Sequence, residues 1–213
     1  NNELEIIPSS PFHFDGTFHK LSHFPNKLRL EHWEQNKYWQ AIRFKKKIYG
    51  LKIENRGKIN NPKLSVTFYS DKQLINKEIE KLKEEITFRF GLNIDLKEFN
   101  NLAKKDKRFY PVFKKWLGMR NTGEYTLYEL LIISIVLQNA TVRRSQQMLD
   151  VLLGKYGVKV IFDNREFWSF WLPEDLEKVP EQELRDLKIG YRAKFIKRLS
   201  QDFAVNKVDQ IKL

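Results

Sequence analysis

Cysteine is absent from this sequence. Without a thiol, the residues hold no disulfide, no thiolate nucleophile, no thiolate zinc site and no cysteine-bound iron–sulfur cluster. Histidine is scarce as well: His13, His19, His23 and His32 are the full complement. Their spacing fits no compact zinc motif, so no metal site is expected. No stretch approaches the roughly 20 apolar residues of a membrane span. The opening Asn1-Asn2-Glu3-Leu4-Glu5 lacks the basic end and apolar run of a signal peptide. The expectation is a cytoplasmic protein, nucleoid-associated in a prokaryote, with no membrane partner. Acid is in short supply, with 27 Asp and Glu against 39 Lys and Arg for a net charge of +12. Such an excess suits a polyanion, because Lys and Arg that neutralise phosphates release condensed counterions. It equally suits plain solubility or a heat-adapted charged surface.

What is abundant is apolar and aromatic. Of the 213 residues, 41% are hydrophobic and 14% aromatic, with 16 Phe and five Trp. A chain of that composition folds around a core. The Trp residues read first as packing, although Trp116 and Trp168 are placed to approach a pocket.

The front of the chain reads as strands and one helix. Leu64, Val66 and Phe68 alternate with Ser65, Thr67 and Tyr69, the period of a half-buried strand. Residues 38–44 and 48–53 read as two more strands joined by a solvated turn at Lys45-Lys46-Lys47. Ser70-Asp71-Lys72-Gln73 has capping-box spacing and opens a helix in which Ile75, Ile79, Leu82 and Ile86 form one stripe, stopped by Gly91. Beyond residue 95 the pattern turns helical. Thr126-Leu127-Tyr128-Glu129 is a capping box, and Leu130 to Leu137, apolar apart from Ser134, describes a helix buried inside a bundle. A second helix runs from Thr141 to about Tyr156. An aromatic-rich connection holds Phe162, Phe167, Trp168, Phe170 and Trp171. Pro180-Glu181-Gln182-Glu183 then starts a short helix, Gly190 breaks it, and Phe195, Ile196, Leu199 and Phe203 mark the last one. The expected fold class is α+β: an antiparallel sheet with a helix over residues 1–92, packed on an all-helical bundle over residues 93–213.

Two segments bear on function. At Val136-Leu137-Gln138-Asn139-Ala140-Thr141-Val142-Arg143-Arg144 an apolar helix ends in two amides and a basic helix starts. Gln138 and Asn139 either satisfy the backbone groups of the helix end or reach a ligand there. At Ile189-Gly190-Tyr191-Arg192-Ala193-Lys194 a glycine turn opens a helix with an aromatic and an arginine, and Lys197 and Arg198 add charge. A helix start presents N–H groups to phosphate, and an aromatic beside an Arg suits a base stack and a base edge. The alternative leaves Tyr191 packed on the bundle and Arg192 in solvent.

Taken with Trp116-Leu117-Gly118-Met119-Arg120, these segments resemble the helix-hairpin-helix base-excision glycosylases. The branch is that of 8-oxoguanine DNA glycosylase and 3-methyladenine DNA glycosylase II, which also carries an antiparallel sheet in front. The motifs span about residues 105–205, and the front third matches in layout only. The resemblance implies a DNA repair enzyme that flips a damaged base from duplex DNA and cleaves its N-glycosidic bond. It implies a monomer that requires no cofactor. The alternative is a non-catalytic module that binds duplex DNA.

By the same resemblance, Asn139 fills the gap left by the flipped nucleotide, Tyr191 wedges beside the estranged base, and Arg144 and Arg192 meet the orphaned partner base. Arg143 contacts phosphate instead, and Gln138, Thr141, Gly190 and Lys194 complete the DNA-binding set. No catalytic residue is assigned. The family's catalytic Asp, and the Lys of its lyases, are expected beyond a hairpin that would follow Leu213, and Asp150 and Asp163 read as surface residues. The branch's Gly-Gln-x-Phe-x-Trp stretch has no counterpart; Asp15-Gly16-Thr17-Phe18 and Tyr38-Trp39-Gln40 are poor substitutes.

Overall fold

The computed structural model describes residues 2–19 and 27–208. His23, one of the four histidines, lies outside the described residues. Two compact units are defined. Unit 1 comprises Asn1–Ser22, Glu31–Gln40 and Tyr49–Glu124, and unit 2 comprises His23–Leu30, Ala41–Ile48 and Tyr125–Leu213. Residues 93–124 thus group with the sheet.

Unit 1 is built on an antiparallel sheet in the order β1-β5-β4-β3-β2. The strands are β1 (Asn2–Ile6), β2 (Glu31–Glu34), β3 (Lys37–Phe44), β4 (Lys47–Asn55) and β5 (Leu64–Tyr69). The far end of the β3–β4 hairpin belongs to unit 2. The alternation read in β5 holds: Leu64, Val66 and Phe68 are buried while their neighbours are half exposed. Its partners are β4 on one side, with Leu51 opposite Phe68, and β1 on the other, with Leu4 opposite Val66. A short helix α1 (Phe14–Phe18) is capped by His13, whose Nδ1 accepts the Gly16 N–H at 3.0 Å. Helix α2 (Asn76–Arg89) lays Leu82 and Ile86 into the core. The Phe18, Tyr38 and Phe90 rings meet within 4.8 to 5.7 Å of one another. Two further helices, α3 (Lys97–Lys105) and α4 (Tyr110–Lys115), complete the unit.

The start of α2 is not where the capping pattern put it. The Ser70 hydroxyl donates to the Lys72 carbonyl at 2.6 Å, which makes a turn, and Glu78 accepts the Ile75 N–H at 3.3 Å at the true start. Serine beside aspartate serves a turn as readily as a helix cap. Ile75 is consequently exposed, and the buried stripe begins further along.

The Trp116–Arg120 motif belongs to the frame of unit 1. Gly118 has φ +86°, and a Cβ there would lie 2.7 Å from the Phe12 nitrogen. The buried Arg120 guanidinium donates to the Ser9 carbonyl at 2.9 Å, and the Arg120 backbone N–H donates to the Thr17 hydroxyl at 3.1 Å. Burial lowers the pKa of that guanidinium.

Unit 2 packs α5 (Leu127–Leu137), α6 (Val142–Tyr156), α7 (Pro173–Glu177), α8 (Glu181–Leu184) and α9 (Arg192–Ala204). The expected capping box is present on α5: Glu129 N–H donates to Thr126 Oγ1, and Thr126 N–H donates to the Glu129 carboxylate at 2.7 Å. Thr141 caps α6 through its hydroxyl, which accepts the Arg144 N–H at 3.3 Å. The core gathers Ile132, Val136, Met148, Leu152, Phe170, Trp171, Leu176, Ile189 and Ile196. Trp171 Nε1 donates to the Tyr128 hydroxyl at 3.0 Å, and that hydroxyl pairs with Ser200 Oγ at 2.7 Å.

Two expectations for this half are corrected. It is not all-helical, because β6 (Val158–Phe162) and β7 (Arg165–Ser169) form an antiparallel hairpin where a connection was expected. Asp163 and Asn164 form its turn with φ +48° and +56°. A two-residue turn with both φ positive matches strand twist, and Asp and Asn tolerate it. Nor is α5 buried all round: Leu130 and Leu137 are exposed beside the exposed Ser134, while Ile132 and Val136 are buried. An apolar sequence shows no stripe, so the buried side is chosen by neighbouring helices.

Candidate nucleic-acid interface

The candidate site lies wholly in unit 2, where the end of α5 and the starts of α6 and α9 converge. α5 stops at Leu137, and Asn139 follows in the left-handed region at φ +46°. Asparagine is one of the few residues other than glycine that closes a helix this way, so its backbone role and a side-chain role coexist. Before α9 the chain makes one wide turn over Arg185–Ile189 in which Lys188 has φ +59°. Gly190 follows with φ +66° and ψ −140°. A Cβ at Gly190 would meet nothing within 4 Å, so the requirement for glycine is torsional rather than steric.

These backbones bring the amide and the phenol together. Asn139 Nδ2 donates to the Tyr191 hydroxyl at 3.4 Å, and that hydroxyl donates to the Gln138 carbonyl at 3.4 Å. Tyr191 is 43% exposed, and its ring meets the exposed Phe195 ring edge-on at 6.1 Å. Phe195 was read from sequence only as one of the apolar residues that mark the last helix. Its spacing of four from Tyr191 places both on one helix face, and that was the signal available.

Arg192 departs most from expectation, being neither solvated nor open. It is buried, and its guanidinium donates to the Ile135 carbonyl at 3.2 Å and to the Gln138 carbonyl. The same group lies 4.8 Å from the Tyr191 ring centre. It therefore closes the unpaired carbonyl end of α5 and backs the tyrosine ring at once. Arg144 is exposed on the first turn of α6 and donates to the Lys188 carbonyl and to Gln147 Oε1. Ser145 Oγ donates to the Val136 carbonyl at 3.3 Å. The three helix tips are thus cross-tied by side chains. Arg143 and Lys194 are exposed nearby in sequence on α6 and α9. Thr141 is occupied with its cap.

The other residues singled out have local roles. Asp150 accepts the backbone N–H groups of Lys27 and Leu28 at 3.3 and 3.1 Å. Asp163 sits in the hairpin turn. The His19 ring stacks on Trp33 at 4.0 Å, and His32 pairs with Glu34 at 3.2 Å. Asp15 accepts from Trp33 Nε1 and from the Asn36 N–H. Trp116 packs on His13, and the Trp168 backbone N–H donates to the Arg29 carbonyl at 2.7 Å.

The fold of this chain is shared with solved DNA glycosylases. The chain aligns with 3-methyladenine DNA glycosylase from Archaeoglobus fulgidus at a TM-score of 0.73 and 15% identity over 92% of its length. It aligns with the Clostridium acetobutylicum 8-oxoguanine glycosylase/lyase at 0.69 and 15% identity over 98%. That enzyme bound to double-stranded DNA with cytosine opposite 8-oxoguanine gives 0.65. In sequence, 132 residues are 24% identical to a DNA-3-methyladenine glycosylase of Bacillus subtilis strain 168. No family model matches the chain. The chain spans 66% of the length of each of the first two structures and 44% of the Bacillus protein. It carries the fold of the 3-methyladenine and 8-oxoguanine glycosylases over part of their length. Among the described residues no helix is long and apolar enough to cross a membrane.

Proposed function

We propose that this chain is the DNA-opening part of a base-excision glycosylase, and that it presents Tyr191 and Asn139 to the gap left by an extruded damaged base. The observation that carries this reading is the meeting of the Asn139 amide and the exposed Tyr191 phenol, 52 residues apart in sequence. Holding a duplex open needs an apolar wedge against the base stack and polar groups for what was unpaired. Tyr191, with Phe195 beside it, is the wedge, and Asn139 fills the vacated position. Arg144, exposed and using two of its N–H groups on Lys188 and Gln147, contacts the orphaned base. An orphan cytosine offers O2 and N3 as acceptors to such donors. Arg143 and Lys194 neutralise phosphates, and the Gly190 turn lets the backbone approach the strand. Arg192 is a brace in the DNA-free state, fixing the end of α5 and the tyrosine ring. It reaches the orphaned base only by releasing the Ile135 and Gln138 carbonyls.

In the whole protein the extruded base is held in a pocket while its N-glycosidic bond breaks. A carboxylate stabilises the oxocarbenium-like sugar, and water or a lysine amine takes the anomeric carbon as the base departs. The lysine variant makes the enzyme a lyase as well.

The test is a glycosylase assay on the full gene product with a panel of lesion duplexes, including 8-oxoguanine and alkylated purines. Release of at least one damaged base is expected. Tight binding to an abasic duplex with release of none points to a non-catalytic DNA-binding module.

A further inference from the structure

Arg144 is exposed on the first turn of α6, yet its guanidinium is held from two directions. Nη2 donates to the Lys188 carbonyl in the turn before α9, and Nη1 donates to Gln147 Oε1 at 3.4 Å. A spacing of three along α6 puts Gln147 beside Arg144 on one helix face. The Lys188 carbonyl comes from an uncommon backbone: φ there is +59°, a left-handed conformation that glycine or asparagine adopts more readily than lysine. Ile189, the next residue, is buried, so the turn that carries this carbonyl is anchored in the core of unit 2. Strain of this kind persists where the surroundings over-determine it, as at binding sites.

We infer that Gln147 is a positioning residue: together with the Lys188 carbonyl it fixes the plane of the Arg144 guanidinium, and so decides which orphaned base the protein accepts. This role rests on the DNA-opening reading of Tyr191 and Asn139 and extends it to the opposite strand. A guanidinium carries five N–H groups in one plane at the end of a flexible stem. One hydrogen bond lets that plane pivot, whereas two on different terminal nitrogens fix it. The Lys188 carbonyl belongs to the backbone and is present whatever the side chain. The second bond depends on Gln147 alone. A rigid fork of donors matches a base edge with adjacent acceptors and opposes an edge that carries an N–H between its acceptors. Cytosine offers O2 and N3, while thymine has a proton on N3. Held still, the fork separates the two pyrimidines. Loosened, it swings to the single acceptor it can reach, and the distinction narrows.

The test is a binding titration of the full gene product on duplexes that carry a tetrahydrofuran abasic analogue opposite cytosine or thymine, with the undamaged duplex as reference. Wild-type protein is expected to bind the abasic duplex more tightly when cytosine stands opposite. Gln147→Met keeps the length and helix preference of the side chain and removes the acceptor. It should narrow the cytosine-to-thymine ratio by about threefold to tenfold, the scale of one hydrogen bond, and leave the undamaged duplex nearly unaffected. Gln147→Glu keeps an acceptor in place and should restore the ratio, even though its negative charge lowers affinity for every duplex. Lys188→Gly keeps the carbonyl and suits the turn, so its ratio should match wild type. An unchanged ratio in Gln147→Met overturns the positioning role, and so does a ratio lost in Gln147→Glu as well. A ratio lost in Lys188→Gly assigns the effect to the lysine ammonium and overturns it too. Equal wild-type binding opposite the two pyrimidines, with abasic still preferred over undamaged duplex, removes this role alone. If wild-type protein binds abasic and undamaged duplexes alike, the DNA-opening reading falls and this role with it.

Discussion

Tyr191 is exposed where a hydrophobic ring of its size is normally covered, and it is held from behind by Arg192 and from the side by Asn139. In the proposed function Tyr191 is a wedge, and a wedge has to be stiff before DNA arrives, because ordering a loose side chain subtracts from binding. Tyr191→Ala is therefore expected to weaken lesion-duplex binding by about 1 to 3 kcal/mol, the scale of one lost base stack. The loss on undamaged duplex should be smaller, and Tyr191→Phe should keep most of the affinity because the ring remains. Fluorescence anisotropy titrations on matched duplexes read both, and equal losses on the two would make the residue a generic contact.

Two of the three positive-φ glycines among the described residues, Gly118 and Gly190, separate torsion from sterics at single residues. At Gly118 a methyl group meets backbone at 2.7 Å and also faces an unfavourable φ. At Gly190 it meets only the torsional cost. Gly190→Ala should lose about 1 to 2 kcal/mol and Gly118→Ala clearly more, since backbone cannot move aside as a side chain can. Urea unfolding curves test the order, and a reversed ranking would contradict the geometry.

At the scale of elements, α5 is tied at its start by the Thr126–Glu129 box, along its length by Tyr128, and at its end by Arg192. Burial pushes the Tyr128 phenol up to about 12, from the ordinary value of 10, against the smaller opposing effect of its hydrogen bonds with Ser200 and Trp171. The folded state thus holds the neutral phenol. Its contribution is intact below about pH 10, where the unfolded chain also keeps the proton, and is lost as pH rises from about 10 to about 12. The loss is on the order of 3 kcal/mol. Tyr128→Phe should flatten that part of an alkaline stability profile while lowering neutral-pH stability by about 1 kcal/mol, the net worth of a buried hydrogen bond. An unchanged alkaline slope would place the titration elsewhere.

For the molecule as a whole, the proposed function has charge govern how DNA is approached and a handful of residues govern what is recognised. With a net charge of +12 the chain should bind duplexes with an affinity that falls steeply with salt. Arg143→Ala should lower the magnitude of the log–log salt slope by about 1 and weaken lesion and undamaged duplexes alike, as removal of one phosphate contact does. Tyr191 substitutions should leave the slope alone. Affinity titrated across a salt series distinguishes the two, and a salt-insensitive affinity would remove the polyanion reading of the charge.

By itself the sequence determined whatever rests on local periodicity and local chemistry. Alternation gave β5, capping residues gave the starts of α5 and α6, and the spacing of glycines gave the stops at Gly91 and Gly190. The motifs at Gln138–Asn139 and Gly190–Lys194 were legible as strings with a familial order. Only the tertiary structure decided which side of an all-apolar helix is buried, because Leu130 and Ile132 are chemically alike and differ only in what packs on them. It also decided the β6–β7 hairpin, whose Asp163-Asn164 turn is short enough to pass for a loop. The fate of Arg192 was settled in the same way: an arginine at a helix start reads as solvated until the carbonyl end of another helix, more than fifty residues away in sequence, is seen to need its donors. Local interactions are set by neighbours in the chain, and the pairing of helix ends is set by the packing of the core between them.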